Sequence, residues 1–283
     1  MYREAIIKKL DSIKEIPSLF NMAIKLEKLT ADSKTTPVQV SDLIRLDPAM
    51  AMRVLRLANS ALYAGNRRIV SLTNAVAKLG FSEIRRLTVS VAVINSFRNF
   101  YVDYDKFWRH SVSVAYLGLE LLKRSNLEIN HEKVYNAGLL HDIGVIILDH
   151  HFTAVYRKIF GIATERKSDL RLVENKILGI SHAEVGALLM RKWNLPEDIA
   201  DIIEFSDMPQ KVNYNPGAGK IIYLADFICN NRGIDNGTGF FPESFYDDIW
   251  DELDLSIDDI PEILESVQKS VEKAKALIKI GGN

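Results

Sequence analysis

Apolar residues recur along this chain at spacings of three and four. Leu19, Ala23, Leu26 and Leu29 mark one stripe, and Ile84, Leu87, Val91, Ile94 and Phe97 mark another. That period puts each set on one face of an α-helix and turns the intervening polar residues to water. Helix starts are legible too. Thr36-Pro37 and Asp47-Pro48 each place a side-chain oxygen ahead of a proline, which satisfies a free first-turn amide and presets the helical φ. Ser71, Ser82, Asp105 and Asp169 read as further caps, and Ser181-x-x-Glu184 as a capping box. Gly80 and Gly179 read as helix ends. No two alternating runs flank a tight turn, and Asn236-Gly237 sits in a polar loop. The pattern predicts an all-α protein of roughly a dozen helices.

Composition narrows the class. Of 283 residues, 47% are hydrophobic and 26% charged, which excludes a chain disordered over most of its length. A net charge of -1 excludes a polycation built to coat nucleic acid or membrane. The single cysteine, Cys229, forms neither an internal disulfide nor a CxxC metal site, so a reducing, cytoplasmic setting is expected and Cys229 reads as core. No run approaches the ~20 apolar residues that span a bilayer. The start Met1-Tyr2-Arg3-Glu4 lacks the apolar core of a signal peptide. Charge is unevenly placed: Asp42–Arg86 holds eight Lys or Arg against three acids, and Asp235–Glu265 holds eleven acids and no Lys or Arg. These runs read as solvated helix faces, with docking of the acidic helices on a basic surface as the alternative.

Candidate chemistry sits in apolar company. His141-Asp142 interrupts the run from Ala137 to Leu148, and an ionised Asp buried there needs donors, a positive charge or a metal. His110 opens the run from Val112 to Leu117, and Asp226 lies between Leu224 and Ile228. Two His and two Asp form an N2O2 set suited to Fe, Mn, Zn or, less well, Mg. His150-His151 reads as a helix end with partly exposed imidazoles, His131 as surface, and Trp108, Trp193 and Trp250 as packing. Arg53, Arg56, Arg67, Arg68, Arg85 and Arg86 offer a phosphate-binding alternative, but Arg56 and Asn59 interleave with Val54, Leu55, Leu57 and Ala58 and read as polar staples.

The order His110…His141-Asp142…Asp226 resembles the H…HD…D signature of the HD superfamily of metal-dependent phosphohydrolases. Its surroundings resemble the HDOD (HD-related output domain) branch. The matching residues are Ile16-Pro17-Ser18-Leu19, Leu46-Asp47-Pro48-Ala49, Val54 to Tyr63, Ser71-Leu72, Ala75-Val76, Leu79-Gly80 and Phe107-Trp108-x-His110-Ser111. They continue with Gly138 to Gly144, Ser181 to Ala187 and Trp193-x-Leu195-Pro196.

The resemblance covers about Ile16 to Asn230. It implies a multi-helical two-lobe HD-like fold, with residues 1–101 as an N-terminal lobe, 102–232 as the HD-like core and 233–283 as an acidic helical extension. It implies a bacterial signalling output module that acts on signalling proteins or a small phosphorylated ligand, with little catalysis. The same resemblance names His110, His141, Asp142 and Asp226 as ligands of one divalent metal, with His182 and Asp207 as additional candidates; Arg109 reads as a phosphate contact only because it adjoins His110.

The rival readings are an HD-type phosphohydrolase acting on a nucleotide and, less favoured, a nucleic-acid-binding regulator. Against cyclic-dinucleotide cleavage, the related phosphodiesterase branch carries a lysine where Val145 stands and a His-His pair near Ser206-Asp207, and its GYP motif is absent.

Overall fold

A computed structural model describes residues 2–13, 18–63, 68–96, 101–193, 195–238 and 246–281. Ile16, Pro17, Arg67, Phe97 and Phe245, and the side chains of Ser18 and Leu19, lie outside what is described. The described residues form helices and no strand. The helices are α1 (Tyr2–Ser12), α2 (Ser18–Thr30), α3 (Pro37–Arg45), α4 (Pro48–Ala58), α5 (Leu72–Leu79), α6 (Phe81–Ser96), α7 (Tyr104–Arg124) and α8 (His131–Leu140). They continue with α9 (Ile143–Arg166), α10 (Leu170–Leu178), α11 (His182–Lys192), α12 (Glu197–Glu204), α13 (Pro216–Asn231), α14 (Ile249–Glu252) and α15 (Ile260–Gly281).

Local signals set the boundaries. The Thr36 and Ser181 side chains each accept from the third helical amide and complete reciprocal capping boxes with Gln39 and Glu184. Asp47, Ser71 and Asp169 cap α4, α5 and α10. The cap of α7 is Asp103 rather than Asp105, because the Asp103 carboxylate reaches the Lys106 amide and leaves Asp105 inside the first turn. His150-His151 close the first of two helical segments that make up α9. The helix kinks at Phe152, whose φ of -131° is non-helical, with His150 exposed and His151 half-buried.

Packing divides the chain into two units. One comprises residues 1–14 and 99–271, the other 15–98 and 272–283. In the first, α7, α8 and α13 pack on one another, α9 packs on α11, and α11 on α12. Its core holds Trp108, Tyr135, Tyr156 and the α9 run Val145–Leu148, with Trp193 and Cys229 also buried. In the acidic segment Ile249, Leu253, Ile263 and Val267 are buried, while Ile260 and Leu264 are half-covered. Its acids meet local partners: Glu262 pairs with Arg124 at 3.2 Å and Glu252 with Lys220 at 3.2 Å. In the second unit α2 packs on α6 and α3 on α5 around Leu26, Ile44, Val54, Val76, Ile84 and Leu87.

Candidate metal centre

Three separate elements deliver the polar side chains. His110 lies on the buried face of α7, two turns from its start. His141 and Asp142 occupy the break between α8 and α9, where the chain changes direction, so two adjacent residues can face one point. Asp142 holds the N-cap position of α9, yet its carboxylate caps no amide and is left for the cluster. Asp226 comes from α13.

Their ligand atoms meet. His110 Nε2 lies 2.9 Å from Asp226 Oδ1, 3.3 Å from His141 Nε2 and 3.7 Å from Asp142 Oδ2. His141 Nε2 lies 3.2 Å from Asp142 Oδ2 and 3.5 Å from Asp226 Oδ1. The far nitrogens are committed elsewhere. His110 Nδ1 donates to the Ile234 carbonyl at 2.6 Å, and His141 Nδ1 to the Gly138 carbonyl at 2.8 Å. A carbonyl only accepts, so each Nδ1 carries a hydrogen, and each ring in its neutral form turns an Nε2 lone pair to the centre.

Two lone pairs and two largely buried carboxylates repel one another unless a metal cation or protons on the imidazoles stand among them. Burial opposes charge on His141, but Asp142 and Asp226 overcome it and hold this imidazole well above its ordinary pKa. Burial likewise opposes ionisation of Asp142, yet His141, His182 and His110 keep it well below the usual carboxylate range. Ligands at about 2.0–2.2 Å from one metal stand roughly 3.0–3.5 Å apart in octahedral or tetrahedral arrays. The five separations that involve an Nε2 atom run from 2.9 to 3.7 Å, close to that spacing.

A supporting layer surrounds the four. Asn236 Nδ2 donates to Asp142 Oδ2 at 2.6 Å, while its Oδ1 accepts from Thr238 N and Oγ1 at 3.0 and 2.6 Å. Asn230 Nδ2 donates to Asp226 Oδ1 at 2.8 Å. On the other side His182 Nε2 stands 3.6 Å from Asp142 Oδ1. The His182 backbone N and Nδ1 both donate to Glu174 Oε2 at 2.8 Å, and Tyr156 OH donates to Glu174 Oε1. Burial works against charge on His182, but Glu174 and Asp142 raise its pKa to about 9.

Other candidates stand apart. Asp207 spends its carboxylate on Arg171 Nε at 2.5 Å. Arg109 has no hydrogen bond or ion pair with the four residues, and its buried Nε has no hydrogen-bond partner among the described residues. Val145 is buried in the core. Glu174 and Asn236 are functional candidates that sequence reasoning passed over. Glu174 does carry a signal: it sits on the α10 stripe of Leu170, Val173 and Leu178, a core position held by an acid. Asn236 has none, being one polar residue in a polar loop.

The HDOD domain family matches this chain over residues 16–209. The sequence is 27% identical over 204 residues to an uncharacterized protein of Treponema pallidum (strain Nichols), covering 71% of this chain and 39% of that protein. The chain thus spans well under half the length of that relative. Among solved structures, an HDOD domain protein of unknown function from Geobacter sulfurreducens matches with a TM-score of 0.77 at 25% identity over 98% of both chains. A candidate phosphohydrolase from Shewanella amazonensis SB2B matches with a TM-score of 0.73 at 26% identity, over 98% of this chain and 99% of that one. With the match at 16–209 spanning more than half of an all-helical chain, this protein belongs to the HDOD domain family.

Proposed function

We propose that this protein is a metal-holding signalling module. It binds one divalent cation (Fe, Mn, Zn or Mg) at His110, His141, Asp142 and Asp226, and acts through contacts with signalling proteins or a small phosphorylated ligand rather than by rapid turnover. One observation carries the reading: the His110 and His141 Nε2 atoms stand 3.3 Å apart and each lies 2.9 to 3.7 Å from an Asp142 and an Asp226 carboxylate oxygen, with both Nδ1 atoms tied to carbonyls. When bound, the metal would polarise a phosphoryl oxygen and acidify a bound water. The chain's own part is to present lone pairs in fixed directions, with Asn236 and Asn230 steering the carboxylates. Among the described residues no Lys or Arg pairs with either Asp142 or Asp226, and the core valine at 145 adds no charge. A phosphoryl group would find no fixed cation there beyond the metal, which argues against fast hydrolysis.

The second reading is a slow metal-dependent phosphohydrolase. It is favoured by the convergence of His110, His141 and Asp226, with Asp142 beside both imidazoles, and by the likeness to the Shewanella candidate phosphohydrolase. A localisation in the cytoplasm belongs to the same proposal; among the described residues no helix is long and apolar enough to cross a membrane.

The test is calorimetric titration of Mn²⁺ into chelator-stripped protein, with elemental analysis and an assay against a cyclic dinucleotide. We expect about one ion per chain, none in His141→Ala, and turnover below ~1 s⁻¹, the low end of ordinary enzymes. Absence of stoichiometric metal overturns the centre. Turnover at or above ~1 s⁻¹, abolished by His141→Ala, replaces the module reading with the hydrolase.

A further inference from the structure

The second unit carries a feature that the metal centre does not use. It holds 15 Lys and Arg against 7 Asp and Glu, a net +8, whereas the first unit holds 21 against 30, a net -9. Most of its described arginines are engaged. Arg45 pairs with Asp42, Arg86 with Glu83 at 3.5 Å, Arg85 donates to Thr30 and Ser82, and Arg53 to the Ile280 carbonyl. Arg56 and Arg68 are exposed and have no hydrogen bond or ion pair with any described residue. Both line one groove of about 470 Å³, together with Met52, Leu55, Ile69 and Val70.

Local chemistry builds this groove. Met52, Leu55, Arg56 and Asn59 follow the helical repeat on α4, so they form one side of that helix. Asn59 then spends its amide on the opposite wall: Nδ2 donates to the Ile69 carbonyl at 2.8 Å and Oδ1 accepts from Ile69 N at 2.8 Å. The segment at 68–70 is thereby fixed in register against α4. Arg68 and Val70 flank Ile69 and are exposed. Met52 is 55% and Val70 80% exposed, an apolar floor left to water between two guanidinium groups that have no counter-ion among the described residues.

We propose that this groove docks an acidic amphipathic segment of a partner protein. Apolar side chains of the partner would cover Met52, Leu55 and Val70, and its carboxylates would meet Arg56 and Arg68. Apolar surface and unpaired charge on one wall call for a partner that carries both. A nucleic-acid backbone would answer the two arginines and leave the floor wet, since phosphate contacts need no apolar recess. The proposal rests on the reading that the protein acts through protein contacts, and it names the chemistry of the contact.

The test is fluorescence anisotropy of the full chain with three probes. The first is a fluorescein-labelled helical peptide of about fourteen residues with Leu on one face and Glu and Asp on the other. The second replaces every Leu with Ser, and the third is a 20-base-pair DNA duplex. We expect micromolar binding of the first peptide, at least tenfold weaker binding of the Ser version and of DNA, and at least a tenfold loss in the R56E/R68E protein. Met52→Ser, which removes apolar surface and adds no charge, should weaken the first peptide and leave the weak binding of the Ser version unchanged.

An unchanged helical circular dichroism spectrum and Mn²⁺ stoichiometry show that the variants remain folded. No binding of the amphipathic peptide at ~1 mM overturns the proposal, as does equal binding of the Ser peptide or preference for the duplex. Sedimentation that shows a dimer dissolved by R56E/R68E would assign the groove to a second copy of this chain and overturn the partner proposed here. Binding that the double variant retains would locate the contact elsewhere, leaving the protein-contact reading standing and this groove refuted.

Discussion

Gly144 stands where α9 and α11 touch, two residues beyond Asp142, and Gly144→Ala probes that contact and the proposed metal centre together. A Cβ at this position would lie 1.9 Å from the His182 carbonyl oxygen, 2.7 Å from its carbon and 2.9 Å from Gly186 N. Ordinary contact begins near 3.4 Å. The two helices would have to part by roughly 1.5 Å to reach it. Every atom met is backbone, so no side chain can rotate away, and the cost reaches at least the ~3 kcal/mol upper end of ordinary overpacking. Ala regains ~1 kcal/mol of helix propensity over Gly. A net destabilisation of about 2–3 kcal/mol remains, which at about 2–4 °C per kcal/mol lowers the melting temperature by about 4–12 °C.

The displaced group is the backbone of His182, whose ring faces Asp142, so Mn²⁺ affinity should fall by ~10-fold as well. Gly161→Ala in the same helix is the control. It is exposed, its Cβ would meet nothing within 4 Å, and it should stabilise by ~0.5–1 kcal/mol. Thermal melts followed by circular dichroism and Mn²⁺ calorimetry read both effects. A Gly144→Ala protein that melts within ~1 °C of the parent would refute the close helix approach on which the calculation rests.

Glu174→Ala leaves Tyr156 OH, His182 N and His182 Nδ1 without their acceptor in the core, and urea unfolding should show a loss of ~3 kcal/mol or more. A loss under ~1 kcal/mol would mean that water replaces the carboxylate. Asn236→Ala removes the donor to Asp142 Oδ2 and should weaken Mn²⁺ binding ~10-fold with little change in melting; unchanged affinity would show that Asp142 needs no steering. Burial, with help from His150 and Lys9, presses the His151 pKa down to about 4. Unfolded chain takes up that proton near pH 6.5, so this group favours the folded state above that pH and loses its contribution as pH falls toward 4. An NMR titration of its ring should give a midpoint near 4, and a midpoint above 6 would contradict the packing around the α9 kink.

Short-range physics made the helical framework legible. Periodicity and capping act between residues no more than four apart, so Thr36-Pro37, Asp47-Pro48 and Ser181-x-x-Glu184 specify their helix starts without knowledge of the fold. Where two candidate caps compete, as Asp103 and Asp105 do, only backbone geometry chooses between them. His110, His141, Asp142 and Asp226 were visible as polar residues in apolar runs, because burying such groups is costly enough to demand a reason.

Their mutual distances were not visible. The partners of His110 lie 31 residues away at His141 and 124 residues away at Ile234, and the packing of α7, α8 and α13 alone sets those separations. The same packing ties Asp207 to Arg171, places buried Glu174 behind His182, and brings Asn236 across 94 residues to Asp142. Sequence determined which helices form and which polar groups must be answered. Tertiary structure decided which groups answer them, because a hydrogen bond or ligand distance between remote residues is fixed by helix packing and by no local rule.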